Sequence, residues 1–228
     1  PHCYARASDT DFADELTLAE IERVLDQGRA AGIRELSLTG GEVFMRPDFF
    51  AIVDAGLDRG YCIRFVTNAT LLDEPRLEQL CRRPIKLITI SLDGARAEVH
   101  DRIRGRGTHA RTLAAIDRLR EAGFYVSVIT AFSRLNVEDF DGLLELCVDR
   151  GIDWQVQMTS AKGRCPRSIT LSPEQYYELG EKVARALVSD PPIHVIPMDD
   201  LATFSHFPPL SILGETWQRK CTGGLLNL

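Results

Sequence analysis

Hydrophobic and polar positions follow two different periods along this chain, and stretches of the two kinds take turns. Residues 16–32 (LTLAEIERVLDQGRAAG) carry apolar side chains at helical spacing, so the pattern predicts a helix. Thr17 and Glu20 have the spacing of a capping box at its start, and Gly32 stands where the helix should end. The next stretch, 33–41 (IRELSLTGG), is typical of a short strand that runs into a glycine turn.

The order of strand and then helix repeats through most of the chain. Thr108 and Ser172 are the predicted N-caps of two later helices, and Pro173 suits the first turn of the second. The remaining helices are predicted over 47–60, 73–83, 108–123, 137–151 and 172–188, and the remaining strands over 61–68, 85–94, 124–132, 152–158 and 193–196. Short connections between such elements imply parallel strands and right-handed crossovers. The pattern therefore predicts an α/β fold, either a closed or partial barrel or an open doubly wound sheet.

Composition narrows the functional classes. The 228 residues include 27 basic and 33 acidic side chains, a net charge of -6, which argues against nucleic acid as the main partner. The sequence shows no long apolar run and no export signal, so no membrane partner is expected. From about Pro191 onward the periodic pattern becomes irregular. A soluble globular enzyme is the class that this composition favours.

The six cysteines are far apart and form no Cys-x2-Cys pair, which excludes a secreted disulfide framework. Cys62, Cys81 and Cys147 lie within apolar periodic stretches, and we expect them to be small buried core residues. Cys3 and Cys221 lie near the chain ends beside His, Pro or Gly. They are the cysteines that the sequence offers for chemistry.

Residues that follow the predicted strands are the candidates for a site, because function gathers at the carboxyl ends of parallel strands. Thr39, Gly40, Gly41 and Glu42 come directly after the first predicted strand. A glycine pair lets a ligand approach the backbone closely, and carbonyl oxygens beside a carboxylate suit an ammonium group better than a phosphate. The alternative interpretation is a tight turn with a solvated Glu.

Polar residues also stand at the carboxyl ends of the next two predicted strands. Asn68 stands at one end, while Ser91 and Asp93 stand at the other and have the chemistry to bind the hydroxyls of a ribose. An Asx-type turn is the alternative there. Arg104 and Arg106 are placed in a glycine-flanked loop (HDRIRGRG), where an arginine could bind a ligand carboxylate or could simply be solvated. Ammonium, ribose and carboxylate sites together would suit an amino-acid nucleoside.

Four segments, in this order, resemble the radical S-adenosylmethionine (SAM) enzymes: PHCY, LSLTGGEVFMRPDF, VTNATLL and ITISLDGARAEVHDRIRGRG. The resemblance covers about residues 1–164 and is closest to the branch with a cysteine-rich C-terminal SPASM extension. It implies a partial (β/α)6 TIM-like barrel of parallel strands with outer helices, whose first strand is missing here. It also implies a core domain over 1–190, and a linker with the start of the extension over 191–228.

The resemblance implies a [4Fe–4S] cluster held by a Cys-x3-Cys-x2-Cys motif. Cys3 matches the third cysteine and so would be a catalytic cluster ligand, and the other two are expected upstream of Pro1, the second directly before it. His2 takes the variable position that lies near the adenine in the family. Cys221 resembles the first ligand of an auxiliary iron–sulfur cluster in the extension.

The remaining matches concern SAM itself. Gly40, Gly41 and Glu42 match the motif that meets the methionyl ammonium group, and Asn68 matches a residue that lines the site. By the same resemblance, Ser91 and Asp93 match positions on the ribose side, and Arg104 matches an arginine on the carboxylate side.

The implied activity is reductive cleavage of SAM to a 5′-deoxyadenosyl radical, which abstracts hydrogen from a substrate. That substrate is expected to be a peptide or protein being modified, or a cofactor precursor such as haem or a quinone. The implied protein partner is an electron donor such as flavodoxin or ferredoxin. Oxygen-sensitive clusters imply a cytoplasmic location.

Two other interpretations stay open. A βα-barrel lyase or aldolase would need a Schiff-base lysine or a metal site at the rim, but Lys86 begins a strand, and no His, Asp or Glu cluster has metal spacing. A non-catalytic barrel that binds SAM or a nucleoside without the cluster is the second. Two cysteines at the right spacing before Pro1 would separate the radical enzyme from this remnant.

Overall fold

The fold alternates strands and helices as the hydrophobic pattern predicts. The structure, a computed structural model, describes residues 15–197. The helices, numbered in chain order, are α1 Leu18–Ala30, α2 Phe49–Asp58, α3 Glu74–Cys81, α4 Ala97–Arg104, α5 Thr108–Glu121, α6 Phe140–Arg150 and α7 Pro173–Val188. The strands are β1 Glu35–Leu38, β2 Cys62–Thr67, β3 Ile85–Ser91, β4 Val126–Phe132, β5 Asp153–Met158 and β6 Val195–Pro197.

The six strands form one parallel sheet in the order β1-β2-β3-β4-β5-β6. Sequential strands are therefore neighbours, as expected for parallel strands that are joined by helical crossovers. The α/β class with six parallel strands and surrounding helices is confirmed. Over residues 15–197, every helix is too short or too polar to cross a lipid bilayer.

Local sequence signals explain several element boundaries. Thr17 and Glu20 form the predicted capping box at the start of α1, since the Thr17 hydroxyl accepts from the Glu20 amide and the Glu20 carboxylate accepts from the Thr17 amide. Ser172 and Gln175 do the same for α7, with Pro173 in its first turn. These reciprocal hydrogen bonds satisfy amide groups that a helix start otherwise leaves unpaired.

The described chain divides into two compact units. The first unit comprises residues 15–91 and 110–127, and the second unit comprises 92–109 and 128–197. Aromatic rings centre the core of the first unit: the ring centroids of Phe49 and Phe65 lie 5.3 Å apart, and those of Phe44 and Phe65 lie 5.8 Å apart, edge to face in both pairs.

The second unit has its own aromatic core. The rings of Phe132, Phe140 and Trp154 are fully buried, with centroids 4.9 Å apart for Phe140 and Trp154. The indole Nε1 of Trp154 donates to Thr130 Oγ1 at 2.9 Å, and Thr130 in turn donates to the Leu92 carbonyl at 2.7 Å. This chain of hydrogen bonds fixes the residue that directly follows β3.

The structure corrects one prediction about local structure. The HDRIRGRG stretch is not all loop, because its first five residues belong to α4, which ends at Arg104. This helix escaped the pattern analysis because it is short and mostly polar, and because its N-cap Arg96 makes no side-chain cap. The last strand, predicted over 193–196, is present as β6, while the domain boundary at residue 190 and the extension beyond it stay predictions.

The cysteine predictions have a mixed outcome. Cys147 is a buried core residue, and burial raises the pKa of its thiol to about 12. Cys62 is half-buried, and the prediction is wrong for Cys81, which is exposed. Leu80 takes the buried position at the end of α3, and the next residue of a helix points about 100° away from it.

Candidate functional site

The carboxylate of Glu42 is held by three donors within the first unit. Its Oε1 accepts from the Thr67 hydroxyl at 2.6 Å and from the Phe44 amide at 3.3 Å, and its Oε2 accepts from the Asn68 amide at 2.7 Å. Glu42 follows β1, whereas Thr67 and Asn68 end β2 and begin the next connection. The carboxylate therefore joins two neighbouring strand ends, so a solvated Glu does not describe it.

The backbone next to this carboxylate is open. Gly40 and Gly41 are exposed, and a methyl group added at Gly40 would meet no atom within 4 Å. A ligand could thus approach this peptide group closely. Neither packing nor a positive φ angle requires glycine at position 40. Glycine leaves open space beside this peptide group.

The side chain of Asn68 forms a local turn. Its Oδ1 accepts from the Thr70 amide at 2.8 Å and from the Thr70 hydroxyl at 2.7 Å, the pattern of an Asx turn. The turn forces Ala69, which is buried, to a φ angle of 59°, in the left-handed region. The Ala69 amide donates to Thr67 Oγ1 at 2.9 Å, so the strained turn rests on the same hydroxyl that holds Glu42.

Ser91 is the last residue of β3 and is half-buried. Among the residues 15–197, none is a hydrogen-bond partner of its hydroxyl. A hydroxyl of this kind at the carboxyl end of a strand is available to a ligand.

Asp93, two residues further on, is fully buried in the second unit. Its Oδ2 accepts from Nε of Arg104 at 2.6 Å, and its Oδ1 accepts from the Ala131 amide at 3.0 Å. The ion pair places Arg104, the last residue of α4, beside the turn that follows β3. In the described part of the chain, the terminal nitrogens Nη1 and Nη2 of Arg104 have no hydrogen-bond partner, so they are available to an anionic ligand.

Asn136 supports the same turn from the other side. Its Nδ2 donates to the Asp93 carbonyl at 3.0 Å, and its Oδ1 accepts from the Ser133 amide at 2.8 Å. Asp139 adds a further anchor, because its Oδ2 accepts from the Ala95 amide at 2.7 Å. The turn after β3 is thus fixed by side chains from the connection that follows β4.

Asp101 organises the glycine-rich connection between α4 and α5. It accepts from the Gly107 amide, and from the His109 amide at 2.8 Å. These hydrogen bonds from the His109 and Gly107 amides lower the pKa of the Asp101 carboxyl. Arg106, on this connection, is exposed.

Three residues that orient these groups were not predicted from the sequence. Thr67, Asn136 and His100 each hold a strand-end turn, yet none was a candidate. His100 belongs to the quoted HDRIRGRG stretch, so a reading of the whole segment could have included it. No motif marks Asn136, because its partner Asp93 lies 43 positions away in the sequence.

Three candidates lie outside the described residues: His2, Cys3 and Cys221. Within 15–197, no three His, Cys, Asp or Glu side chains group closely enough to hold a metal ion. Lys86, at the amino end of β3, is exposed and donates to Glu35 Oε1 at 2.9 Å. Its salt bridge is a structural one, at the end of the strand away from the candidates.

Comparison with known sequences identifies relatives over most of the chain. An AdoMet-dependent heme synthase of Methanosarcina barkeri is 36% identical over 177 residues, 77% of this chain and 51% of the relative. The mycofactocin maturase MftC of Mycobacterium ulcerans is 29% identical over 164 residues, 72% of this chain and 44% of the relative. The chain thus spans about half the length of the curated relatives it matches.

The fold is also found in a solved structure. The crystal structure of Streptococcus suis SuiB bound to its precursor peptide SuiA superposes with a TM-score of 0.73 at 17% identity, covering 86% of this chain and 45% of SuiB. This likeness confirms the predicted partial barrel fold. The sequence profile of the Radical SAM superfamily matches residues 1–147. Because that match covers more than half of its length, the chain belongs to the radical SAM superfamily.

Proposed function

We propose that this chain is the core of an enzyme that reductively cleaves SAM at a [4Fe–4S] cluster and abstracts hydrogen from a substrate through a 5′-deoxyadenosyl radical. Superfamily membership implies both the cluster and SAM. The observation that carries the proposal is the arrangement at Glu42, whose fixed carboxylate stands beside the open backbone of Gly40. When bound, the reduced cluster would supply the electron that breaks the sulfonium bond of SAM.

Each of the two units, taken by itself, offers groups that would suit a polar part of SAM. The backbone carbonyls of Gly40 and Gly41 would accept from its ammonium group, and Glu42 would add a negative charge nearby. The unpartnered hydroxyl of Ser91 suits a ribose hydroxyl. The free terminal nitrogens of Arg104 suit the carboxylate, in the two-pronged geometry that arginine favours.

Two of the candidate residues would act indirectly. The Asp93 carboxylate is buried and accepts from Arg104, so we assign it to positioning that arginine rather than to contact with ribose. The Asn68 side chain is committed to its own turn, and its amide helps hold Glu42. Both residues would thereby keep ligand-binding groups in place before SAM arrives, which reduces the ordering cost of binding.

The remaining parts of the proposal concern residues outside 15–197. Cys3 would supply one thiolate of the cluster, with His2 near the adenine and two further cysteines upstream. Cys221 would begin the ligand set of an auxiliary cluster in a SPASM-type extension starting near residue 191. An electron donor such as flavodoxin or ferredoxin would reduce the clusters, and their oxygen sensitivity favours the cytoplasm.

The substrate class that we favour is a peptide or protein. The sequence similarity to a mycofactocin maturase and the fold shared with SuiB, which binds the precursor peptide SuiA, support this class. A haem precursor is the second candidate, because the heme synthase of Methanosarcina barkeri is the more similar of the two relatives at 36% identity.

The first experiment measures SAM cleavage by the natural full-length protein. The protein would be reconstituted with iron and sulfide without oxygen, reduced with dithionite and incubated with SAM, and 5′-deoxyadenosine would be quantified. Formation of 5′-deoxyadenosine by the wild type, and its loss in Cys3→Ala, is the expected result. SAM binding without cleavage in the reconstituted protein would instead favour the non-catalytic remnant.

A second incubation decides between the substrate classes. An iron porphyrin and a mixture of short peptides are offered separately, and each is analysed by mass spectrometry after SAM turnover. A mass change in a peptide supports peptide modification. A mass change confined to the porphyrin would assign the enzyme to cofactor synthesis and overturn the favoured class.

A further inference from the structure

A buried imidazole lies against the turn that follows β3. His100, on α4, is fully buried, and its Nδ1 accepts a hydrogen bond from the Asp93 amide at 3.1 Å. Its Nε2 is also buried and has no protein hydrogen-bond partner within 15–197. An imidazole that accepts at Nδ1 and is neutral must carry its proton on Nε2. The contact therefore selects one tautomer.

The backbone explains why this side chain reaches the turn. A methyl group added at Gly94 would come within 2.7 Å of the His100 amide nitrogen and within 2.9 Å of Val99 Cβ. Only glycine lets α4 approach the turn this closely. Gly94 thus permits the close approach of α4, and His100 then makes the hydrogen bond to the Asp93 amide.

The surroundings of His100 keep it neutral. Burial and the neighbouring Arg104 guanidinium lower the pKa of His100 to about 4. The ring of His109 lies 5.5 Å away, centroid to centroid, and would also oppose a second positive charge, whereas the Asp93 and Asp101 carboxylates favour one. Protonation at Nδ1 would direct one N–H group against another and break the hydrogen bond to the Asp93 amide.

We propose that His100, as its neutral Nε2-protonated tautomer, is a positioning residue that fixes the Leu92–Gly94 turn and thereby the Asp93 carboxylate that holds Arg104. The hydrogen bonds support this order of action. His100 and Asn136 hold the Asp93 backbone at its amide and its carbonyl, respectively. The Asp93 side chain is then left to pair with Arg104 at 2.6 Å. The consequence for SAM rests on the proposed function, whereas the tautomer and the turn do not.

The first test reads the tautomer directly. The full-length protein, labelled with 15N in its histidines, would be examined by two-dimensional NMR over a pH series, and the His100 signal assigned from the spectrum of His100→Asn. The expected His100 signal shows a protonated Nε2, an unprotonated Nδ1, and no titration above about pH 5. A proton on Nδ1, or titration near pH 6.5, would overturn the proposal.

The second test compares two amide substitutions in the full-length protein. Asn places its carbonyl oxygen close to the position of Nδ1, whereas Gln places its amide closer to that of Nε2. We expect His100→Asn to keep the SAM dissociation constant within about threefold of wild type, and His100→Gln to raise it roughly tenfold, the scale on which supporting hydrogen bonds act. The exposed His194→Asn serves as the matched control and should have no effect.

The second test separates a loss of folding from a loss of SAM binding. Thermal unfolding shows whether both variants are folded. Their SAM affinity is then measured by equilibrium dialysis, without turnover. Equal SAM affinity in His100→Asn, His100→Gln and wild type would overturn the positioning role. If the wild type itself failed to bind SAM, the proposed function would fall, and the tautomer measurement would still decide the role of His100 in the turn.

Discussion

Asp93 and Arg104 form an ion pair in which the carboxylate is fully buried and the guanidinium side chain is 21% exposed. The two residues are 11 positions apart, and α4 brings them together. The pair joins the turn after β3 to the end of that helix. Its geometry uses Nε of the arginine and leaves the two terminal nitrogens for another partner.

Removing the charge of Asp93 should destabilise the protein. Asp93→Asn keeps an oxygen for the Ala131 amide but loses the charge opposite Arg104. Breaking a buried ion pair costs several kcal/mol, but Arg104 is partly solvated, so we expect a loss of about 2 kcal/mol in the free energy of unfolding. Urea unfolding measures it. Asp141→Asn, at an exposed pair with Lys182, is the control and should change stability by less than about 0.5 kcal/mol.

The hydroxyl of Thr67 should contribute more to the free energy of unfolding than its methyl group does. Thr67 is buried, donates to Glu42 and accepts from the Ala69 amide. Thr67→Val removes both hydrogen bonds at constant shape and should cost about 2 kcal/mol of unfolding free energy, whereas Thr67→Ser keeps the hydroxyl and should cost about half as much. Urea unfolding of the two variants gives the comparison, and a Val variant as stable as the Ser variant would contradict the role of the hydroxyl.

These two contacts show how far the sequence could predict the site. The strand-end rule found Glu42, Ser91 and Asp93, because the hydrophobic period locates each strand and therefore the residue after it. It could not reveal that Asp93 pairs with Arg104. That contact depends on α4, a short and mostly polar helix in which only Val99 and Ile103 carry large apolar side chains.

The fold was more predictable than the site because local sequence signals mark most of its elements. Helices such as α1 and α7 have capping boxes and an apolar face. Supporting residues such as Asn136 act on turns that lie far away in sequence, so no local pattern marks them. A local pattern can also mislead: the apolar neighbours of Cys81 in the sequence predicted that it is buried, but it is exposed.

Close packing at Gly94 predicts opposite effects of the same substitution at two glycines. Gly94→Ala would push a methyl group to within 2.7 Å of the His100 amide nitrogen, so the backbone must move, and we expect a loss of about 2 kcal/mol. Gly180→Ala, within α7, meets no atom within 4 Å and should gain about 0.5–1 kcal/mol from helix propensity. Thermal unfolding compares both, and two changes of the same sign would refute the contact.

The left-handed backbone at Ala69 predicts an order of stability. With a φ angle of 59°, Ala69→Gly relieves strain but loses a buried methyl group, so the two effects nearly cancel and the change should stay within about 1 kcal/mol. Ala69→Val puts a β-branched side chain in the same conformation and should cost about 2 kcal/mol or more. Chemical unfolding ranks the three proteins, and a Val variant as stable as the Gly variant would show that the turn is not constrained.

The depressed pKa of His100 predicts acid sensitivity. A histidine with a pKa of about 4 when folded and 6.5 when unfolded binds more protons in the unfolded state between those two values. The contribution of neutral His100 to the free energy of unfolding is therefore fully present above about pH 6.5. It falls as the pH is lowered towards 4, and the loss reaches about 2 kcal/mol near pH 5. Asp101 does not interfere in this window, because its pKa is lowered from 3.8 and its contribution is lost only at lower pH.

The difference in unfolding free energy between wild type and His100→Asn, followed from about pH 7 to 5, isolates the effect, since Asn does not titrate. A difference that stays constant across this range would mean that His100 is not held neutral by the fold.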